Sequence, residues 1–278
     1  MLDALAAVAR CLLYVGALSC AGVIFAEATL RSAAVDQQFL RTIVRKGALL
    51  TIAAAIAGAF LLIFRLGGQF DEATFSAVFA TSSGAALCLQ LAGAGLLLAS
   101  DFEDDSQRVM RIGTAALLLT SFAFGGHAAV MGPAESIVAF LHVGVASWWI
   151  GSLWLLHRAC KVADRPASSA LVARFSAIAT IMVGALVIAG LILIGVLIDF
   201  AALSEILPYV QILAIKLCVV AVLLGIAAYN RIRLTPRLLA GEGAAVRALQ
   251  RTIRAELGLV GTILAVTAVL TTYTSPHI

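Results

Sequence analysis

Two histidines and one methionine lie close together in the sequence, where one long apolar segment ends and the next begins. His127 is near the end of the first segment, His142 lies in the second, and Met131 lies between them. Counted from a turn near Gly132 into each segment, the histidines lie about five and ten residues deep, a difference of roughly one helical turn. Imidazole and thioether groups suit copper, Cu(I) above all, and do not suit Mg²⁺ or Ca²⁺. The hairpin therefore predicts a copper site; the alternative is that each histidine only hydrogen-bonds to a neighbouring helix.

Three residues elsewhere in the chain could support such a site. Trp149 lies seven residues after His142, on the same helical face, and could exclude water or bind a cation through its ring. His277, near the carboxyl terminus, could add a ligand. Lys216 lies within an apolar segment, where it either extends toward the surface or pairs with a carboxylate or a bound group. Simple packing is the alternative for Trp149, and apolar filling is the alternative for Met131.

The five cysteines are scattered singly, and no C-x-x-C spacing occurs, so neither a disulfide framework nor a zinc knuckle is indicated. Cys20, Cys88 and Cys218 fall near the middle of apolar segments. A thiol in such a place is usually a small apolar filler. A relay of soft copper ligands through the membrane is the alternative interpretation of these three residues.

Composition shows what kind of element must position these residues. The 278-residue chain is 62% apolar and only 12% charged, and its mean hydropathy is +1.06. Such a chain cannot cover itself with a water-facing surface, and apolar segments of about 20 residues must be membrane-spanning helices. We predict an all-α, polytopic membrane bundle in a single transmembrane domain, with four helices in residues 1–130 and four in residues 131–278. The predicted spans are 5–28, 47–66, 75–99, 109–129, 134–157, 175–198, 208–229 and 256–273.

Prolines and one acidic residue mark several of the predicted helix ends. Pro133 and Pro208 fall at helix starts, where a missing amide proton is harmless. Pro166 and Pro236 are predicted to lie in loops. Glu256 is predicted to open the last span, where a negative charge stabilises the amino end of a helix.

The basic residues are distributed unevenly between the two sides. Of the nineteen Lys and Arg residues, sixteen fall in the first, third, fifth and seventh connections. Basic connections stay in the cytoplasm, so both termini are expected on the periplasmic side. The positive charge therefore reports membrane orientation and does not indicate a nucleic-acid partner.

Seven short groups of residues follow one another in a recognisable order: His127-Ala128-Ala129, Leu141-His142, Trp149-Ile150-Gly151-Ser152-Leu153, Arg174-Phe175-Ser176, Lys216-Leu217, Asn230-Arg231 and Arg254-Ala255-Glu256-Leu257. In these groups the sequence resembles the CopD family of copper resistance membrane proteins. The resemblance covers about residues 125–276, and the first four spans match only in hydropathy.

This resemblance implies a multi-pass protein of the bacterial inner membrane that acts in copper transport or tolerance. It also implies a partner, a periplasmic copper carrier of the CopC type, and movement of copper from the periplasm inward. His127 and His142 are then the candidate metal residues. Two positions depart from the family pattern, because Ala139 replaces a frequent Asp and Ala189-Gly190 replaces a Thr-Gly pair.

Three functions are compatible with these observations. The first is a copper permease, whose cargo is Cu(I) or Cu(II). The second is a b-type cytochrome in which His127 and His142 are axial ligands of haem. The third is an assembly or accessory factor that binds copper transiently. We expect no enzymatic activity, and the chain contains no nucleotide-binding loop that would couple it directly to ATP.

Overall fold

The computed structural model describes residues 1–31, 35–65, 67, 71–124, 132–161, 165–198 and 207–273, and these residues fold into helices joined by short turns. No strand occurs within these ranges, so the predicted all-α class is confirmed. The α-helices are α1 (Leu2–Leu30), α2 (Gln37–Arg65), α3 (Glu72–Phe79), α4 (Ser82–Ala99), α5 (Arg108–Thr120), α6 (Pro133–Ala159), α7 (Arg165–Leu197), α8 (Leu207–Tyr229), α9 (Thr235–Leu239) and α10 (Gly243–Tyr273).

Seven stretches in the described part of the chain are long and apolar enough to cross a membrane. They are α1, α2, α4, α6, α7, α10 and the continuous stretch Leu207–Leu239, which joins α8 to α9. The remaining predicted span, 109–129, begins as α5 and one 3₁₀ turn at Ser121–Ala123. Its last residues, from 125 onward, lie outside the described ranges.

The predicted third span, 75–99, is divided into two helices. The Asp71 carboxylate accepts a hydrogen bond from the Thr74 backbone amide and begins α3. The Thr81 hydroxyl accepts one from the Gly84 amide and begins α4. Each cap satisfies an amide that has no partner inside its helix, so two short polar side chains are enough to interrupt one apolar run.

Several helices extend further than hydropathy predicts, which corrects three of our expectations. Helix α10 begins at Gly243, so Glu256 lies well inside it and does not open it. Pro166 and Pro236 are not in loops but in the first turns of α7 and α9. Hydropathy detects only the part of a helix that lies in hydrocarbon. It cannot detect a helix that continues into water, as α10 does with buried Ala245 and Leu249 on one face.

Helix α1 is the centre of the bundle and packs most closely on α6. A Cβ atom placed on Gly22 would lie 1.9 Å from the Ser147 carbonyl oxygen, and one placed on Gly151 would lie 2.0 Å from the Gly22 backbone. The Ser147 hydroxyl donates a 3.0 Å hydrogen bond to the Leu18 carbonyl oxygen. Small residues therefore let the two backbones touch, as is common between membrane helices.

The start of α1 and the end of α10 lie at the same end of the bundle. Arg10 donates a hydrogen bond to the Thr271 carbonyl oxygen, and the Tyr14 hydroxyl lies 3.3 Å from the Thr271 hydroxyl. At the opposite end, Arg158 of α6 donates a 2.7 Å hydrogen bond to Asp36, which follows α1. Helices α1 and α6 therefore run in parallel. We call the end with the start of α1 and the end of α10 the outer end and the other the inner end, following the orientation expected from charge.

Candidate functional site

His142 lies in the outer half of α6, nine residues after Pro133 and thus about 14 Å from the start of the helix. Its ring packs on α7, where the imidazole Cε1 would lie 3.3 Å from a Cβ atom placed on Gly190. The Nδ1 atom is inaccessible to solvent and has no hydrogen-bond partner among the described residues. A buried nitrogen without a partner is available to a metal ion.

Lys216 of α8 lies at the same depth, since it follows Leu207 by nine residues. It is close enough to His142 for the two side chains to interact electrostatically. The structure therefore brings together two residues that the sequence predicted separately.

The other three predicted ligands, His127, Met131 and His277, lie outside the described residues. Gly132 and Pro133 are described, and there the chain enters α6, the helix of His142. Among the described residues no group of three or more His, Cys, Asp or Glu side chains is arranged to hold a metal ion. The predicted ligand set therefore stays a prediction.

The three cysteines of the predicted relay lie in different surroundings. Cys20 is fully buried between α1 and α2, and its Sγ donates to the Ala17 carbonyl oxygen at 3.3 Å. Cys88 of α4 and Cys218 of α8 are exposed on the surface of the bundle. The structure thus separates the buried thiol from two thiols on surfaces that face lipid in a membrane.

Trp149 lies two helical turns inward from His142 on α6 and is 5% exposed. Its ring meets that of Phe175 of α7 edge-on, with the ring centres 5.7 Å apart. The indole Nε1 has no hydrogen-bond partner among the described residues. The neighbouring Trp148, by contrast, donates a 2.8 Å hydrogen bond to the Thr29 hydroxyl. Trp148 is therefore anchored to α1, whereas Trp149 presents an unpaired donor.

A cavity of about 400 Å³ adjoins Trp149 in the inner half of the bundle, between α6, α7, α8 and α10. Most of its wall is apolar, but Ser176 and Thr180 of α7 line it as well. Asn230 and Glu256 also line it, and both are buried, with 9% and 2% of their surfaces exposed. The cavity thus combines buried polar groups with open volume, as ligand sites in proteins commonly do.

Asn230 and Glu256 form one hydrogen-bonded pair. The Asn230 Nδ2 donates to a Glu256 carboxylate oxygen at 2.6 Å, and the Asn230 Oδ1 has no partner among the described residues. Asn230 also begins a π-helical segment, Asn230–Leu234, of a kind often found at functional sites. Our sequence interpretation missed this pair, because it assigned Glu256 to a helix start. The available signal was an acidic residue and an amide beside apolar segments, both within the family pattern.

Two family models match the chain, and together they cover most of it. A model described as "Copper resistance protein D-like, N-terminal domain" matches residues 1–136, and one described as "Copper resistance protein D" matches residues 169–270. The chain belongs to the copper resistance protein D family. The expected family is thus confirmed and extends to the first four spans, which the sequence had matched only in hydropathy.

Family membership assigns the chain a role in copper resistance or homeostasis as a multi-pass membrane protein. His142 and Trp149 lie between the two matched regions, whereas Lys216, Asn230 and Glu256 lie within the second. No characterised protein and no solved structure is significantly similar to this chain.

Proposed function

We propose that this chain transports copper across the bacterial inner membrane, from the periplasm toward the cytoplasm. Copper binds at the outer end to His127 and His142, with Met131 and His277 as further ligands. The proposal is supported by the family and by the ligand chemistry, since imidazole and thioether groups are preferred by copper.

The observation that carries this proposal is the buried ring of His142, which interacts with the Leu186 backbone of α7 while its Nδ1 has no hydrogen-bond partner among the described residues. A buried polar atom without a partner destabilises a protein by about 1–3 kcal/mol, and a bound metal ion would remove that penalty. His142 faces Gly190, and the absence of a side chain there leaves room at the ring. Lys216 at the same depth is the second polar residue that the structure brings to this site.

The predicted orientation supports uptake rather than export. The outer end, which holds the starts of α1 and α6, faces the periplasm, where a CopC-like carrier delivers copper. The inner end is rich in arginine, as expected for the cytoplasmic side. Trp149 lies inward of His142 on the same helix and extends the route toward the inner cavity.

The test is copper uptake by cells and copper bound to the purified protein, for the wild type and for the double variant His127→Ala plus His142→Ala. We expect the double variant to lose most of both. His157→Ala is the matched control, because His157 lies at the inner end of the same helix, and it should retain uptake. Unchanged copper binding in the double variant would overturn the proposal.

Two further measurements separate the alternative functions. A Soret band in the purified protein would indicate haem rather than copper as the ligand of the histidines. If deletion of the gene leaves cellular copper unchanged while a partner protein loses its copper, the chain is an accessory factor and not a permease.

A further inference from the structure

We propose that the inner cavity is a second cation site, in which Glu256 and Asn230 supply oxygen ligands to the metal ion before its release to the cytoplasm. The proposal rests on the proposed function, because it takes copper as the ion that reaches this cavity. It adds a second station to the route, because Asn230 lies fourteen residues, about four helical turns, inward from Lys216 along the stretch that begins with α8.

The first argument is charge. Glu256 is 2% exposed, and no Lys or Arg of the described residues lies within ion-pair distance of its carboxylate. Arg231 lines the cavity, but its guanidinium donates a 2.8 Å hydrogen bond to the Ser176 carbonyl oxygen of α7. Arg254 precedes Glu256 by two residues and is exposed, near His157. A buried carboxylate without a cationic partner is unfavourable, and a bound cation removes that penalty.

The second argument is the balance of donors and acceptors. Asn230 uses its amide nitrogen to bind Glu256, which turns its Oδ1 away from any partner in the described residues. An ionised carboxylate accepts hydrogen bonds and cannot donate them, and the same holds for an amide oxygen. The polar end of the cavity therefore offers unused acceptors, which a metal cation satisfies.

The third argument is the backbone at Asn230. The π-helical segment Asn230–Leu234 lies between α8 and α9, and the Thr235 hydroxyl donates a 3.0 Å hydrogen bond to the Asn230 carbonyl oxygen. A π-helical turn inserts one residue into an α-helix and changes the direction of the side chains around it. Here it places Asn230 against Glu256 of α10, and such turns are frequent at functional sites.

The fourth argument is the chemistry of release. Carboxylate, amide and hydroxyl oxygens bind copper less strongly than imidazole and thioether groups, above all when copper is Cu(I). Trp149 lines the same cavity and can contact a cation through its ring. An ion that leaves His142 thus meets an aromatic ring and then weak ligands. A site that binds weakly permits exit, which conduction requires.

The test is copper transport by the full-length protein in proteoliposomes, with copper stoichiometry measured on the same samples by equilibrium dialysis with Cu(I) and with Cu(II). The variant is Glu256→Gln, which removes the charge and keeps the acceptor for Asn230. The matched control is Glu242→Gln, an exposed carboxylate in the turn before α10. We expect Glu256→Gln to bind one copper ion fewer and to lower kcat about tenfold with KM unchanged. The control should match the wild type.

A second variant, Asn230→Ala, tests the inner site independently in case Glu256→Gln fails to fold. It leaves the carboxylate in place and removes the amide oxygen, so it should weaken copper binding at the inner site and leave binding at the outer site intact. Unchanged stoichiometry and unchanged kcat in both variants would overturn the inner site while the outer histidines retain their effect. An infrared band of a protonated Glu256 carboxyl that copper does not remove would also overturn it, because the group would then be a proton site.

The two proposals can fail separately. If the double histidine variant transports copper normally and Glu256→Gln does not, the outer site is wrong and the inner site stands. If the wild type transports no copper at all, the proposed function is wrong. Dialysis then decides the inner site, because copper binding that depends on Glu256 supports it and its absence overturns it.

Discussion

The helices around α1 and the helices around the inner cavity pack in different ways. Half of the most apolar stretch of α1 is buried by other helices, whereas only 11% of the corresponding stretches in α7 and in Leu207–Leu239 are buried. Helix α1 touches α6 backbone to backbone through Gly22 and Gly151. The helices α7 and α8 instead border a cavity of about 400 Å³.

This difference separates support from function. The α1–α6 contact holds α6, and with it His142 and Trp149, in a fixed position relative to the first half of the chain. The residues that face these two side chains, Gly190 and Phe175, lie on the loosely packed helix α7. The candidate route therefore follows the boundary between a close-packed region and an open one. In such a boundary, side chains can move without loss of the fold.

The largest effect is expected from a larger side chain placed in the close-packed contact itself. In Gly151→Val the new side chain would meet the Gly22 backbone at about 2.0 Å, and two main chains cannot relax as a flexible side chain can. We expect a loss of stability of roughly 4 kcal/mol or more, or failure to fold. Thermal unfolding in detergent measures it. Gly144→Val on the same helix is the control, because a Cβ atom there meets nothing within 4 Å. Equal melting temperatures for the two variants would contradict the comparison.

A smaller and more selective effect is expected where the two regions meet. In Gly190→Ala the new methyl group would lie 3.3 Å from the His142 ring, which must then shift by a few tenths of an ångström. We expect copper affinity to fall about tenfold with stability unchanged, as is typical when a ligand loses its positioning contact. Isothermal titration with copper measures the affinity. Gly184→Ala on the same helix has open space and should bind as the wild type does. A loss of affinity in both variants would point to α7 as a whole rather than to the ring.

The smallest effect concerns the inner end of the close-packed region. The Arg158 guanidinium, 2.7 Å from the Asp36 carboxylate, lowers the pKa of that group below its ordinary value of 3.8. A lowered pKa in the folded state stabilises the protein above pH 3.8, and this contribution is lost as the pH falls through the folded-state pKa. Because Asp36 is exposed, water screens the pair, and we expect only about 0.5 kcal/mol. Asp36→Asn should therefore lower the melting temperature slightly at pH 7 and by less at pH 3. A difference that is as large at pH 3 as at pH 7 would assign the effect to something other than the charge of Asp36.

Much of the fold could be predicted from the sequence, because hydrocarbon imposes a simple rule on the backbone. Each apolar segment had to be a helix, and the arginine-rich connections had to lie on one side of the membrane. The predicted span 208–229 differs from α8 by one residue at its start. The family resemblance also came from the order of short residue groups, and the family models confirm it. The helix ends in water were predicted poorly, since no hydropathy difference marks them.

Part of the candidate site could be predicted as well. His142 was identified because an imidazole inside an apolar segment is rare, and its depth followed from counting residues. Trp149 was placed on the same helical face by its spacing of seven residues. These are local properties of one helix. For that reason they can be inferred from the sequence without knowing which helices lie next to α6.

Contacts between distant helices were decided only by the tertiary structure. Glu256 and Asn230 are 26 residues apart, and their hydrogen bond exists because α10 begins thirteen residues before Glu256 and because a π-helical segment turns Asn230 toward it. The proximity of Lys216 to His142 and the contact of Gly22 with Gly151 likewise depend on how helices pack. Sequence alone thus determined which residues lie in the membrane and at what depth. Packing decided which of them meet, because the relative rotation of two helices depends on side chains from both.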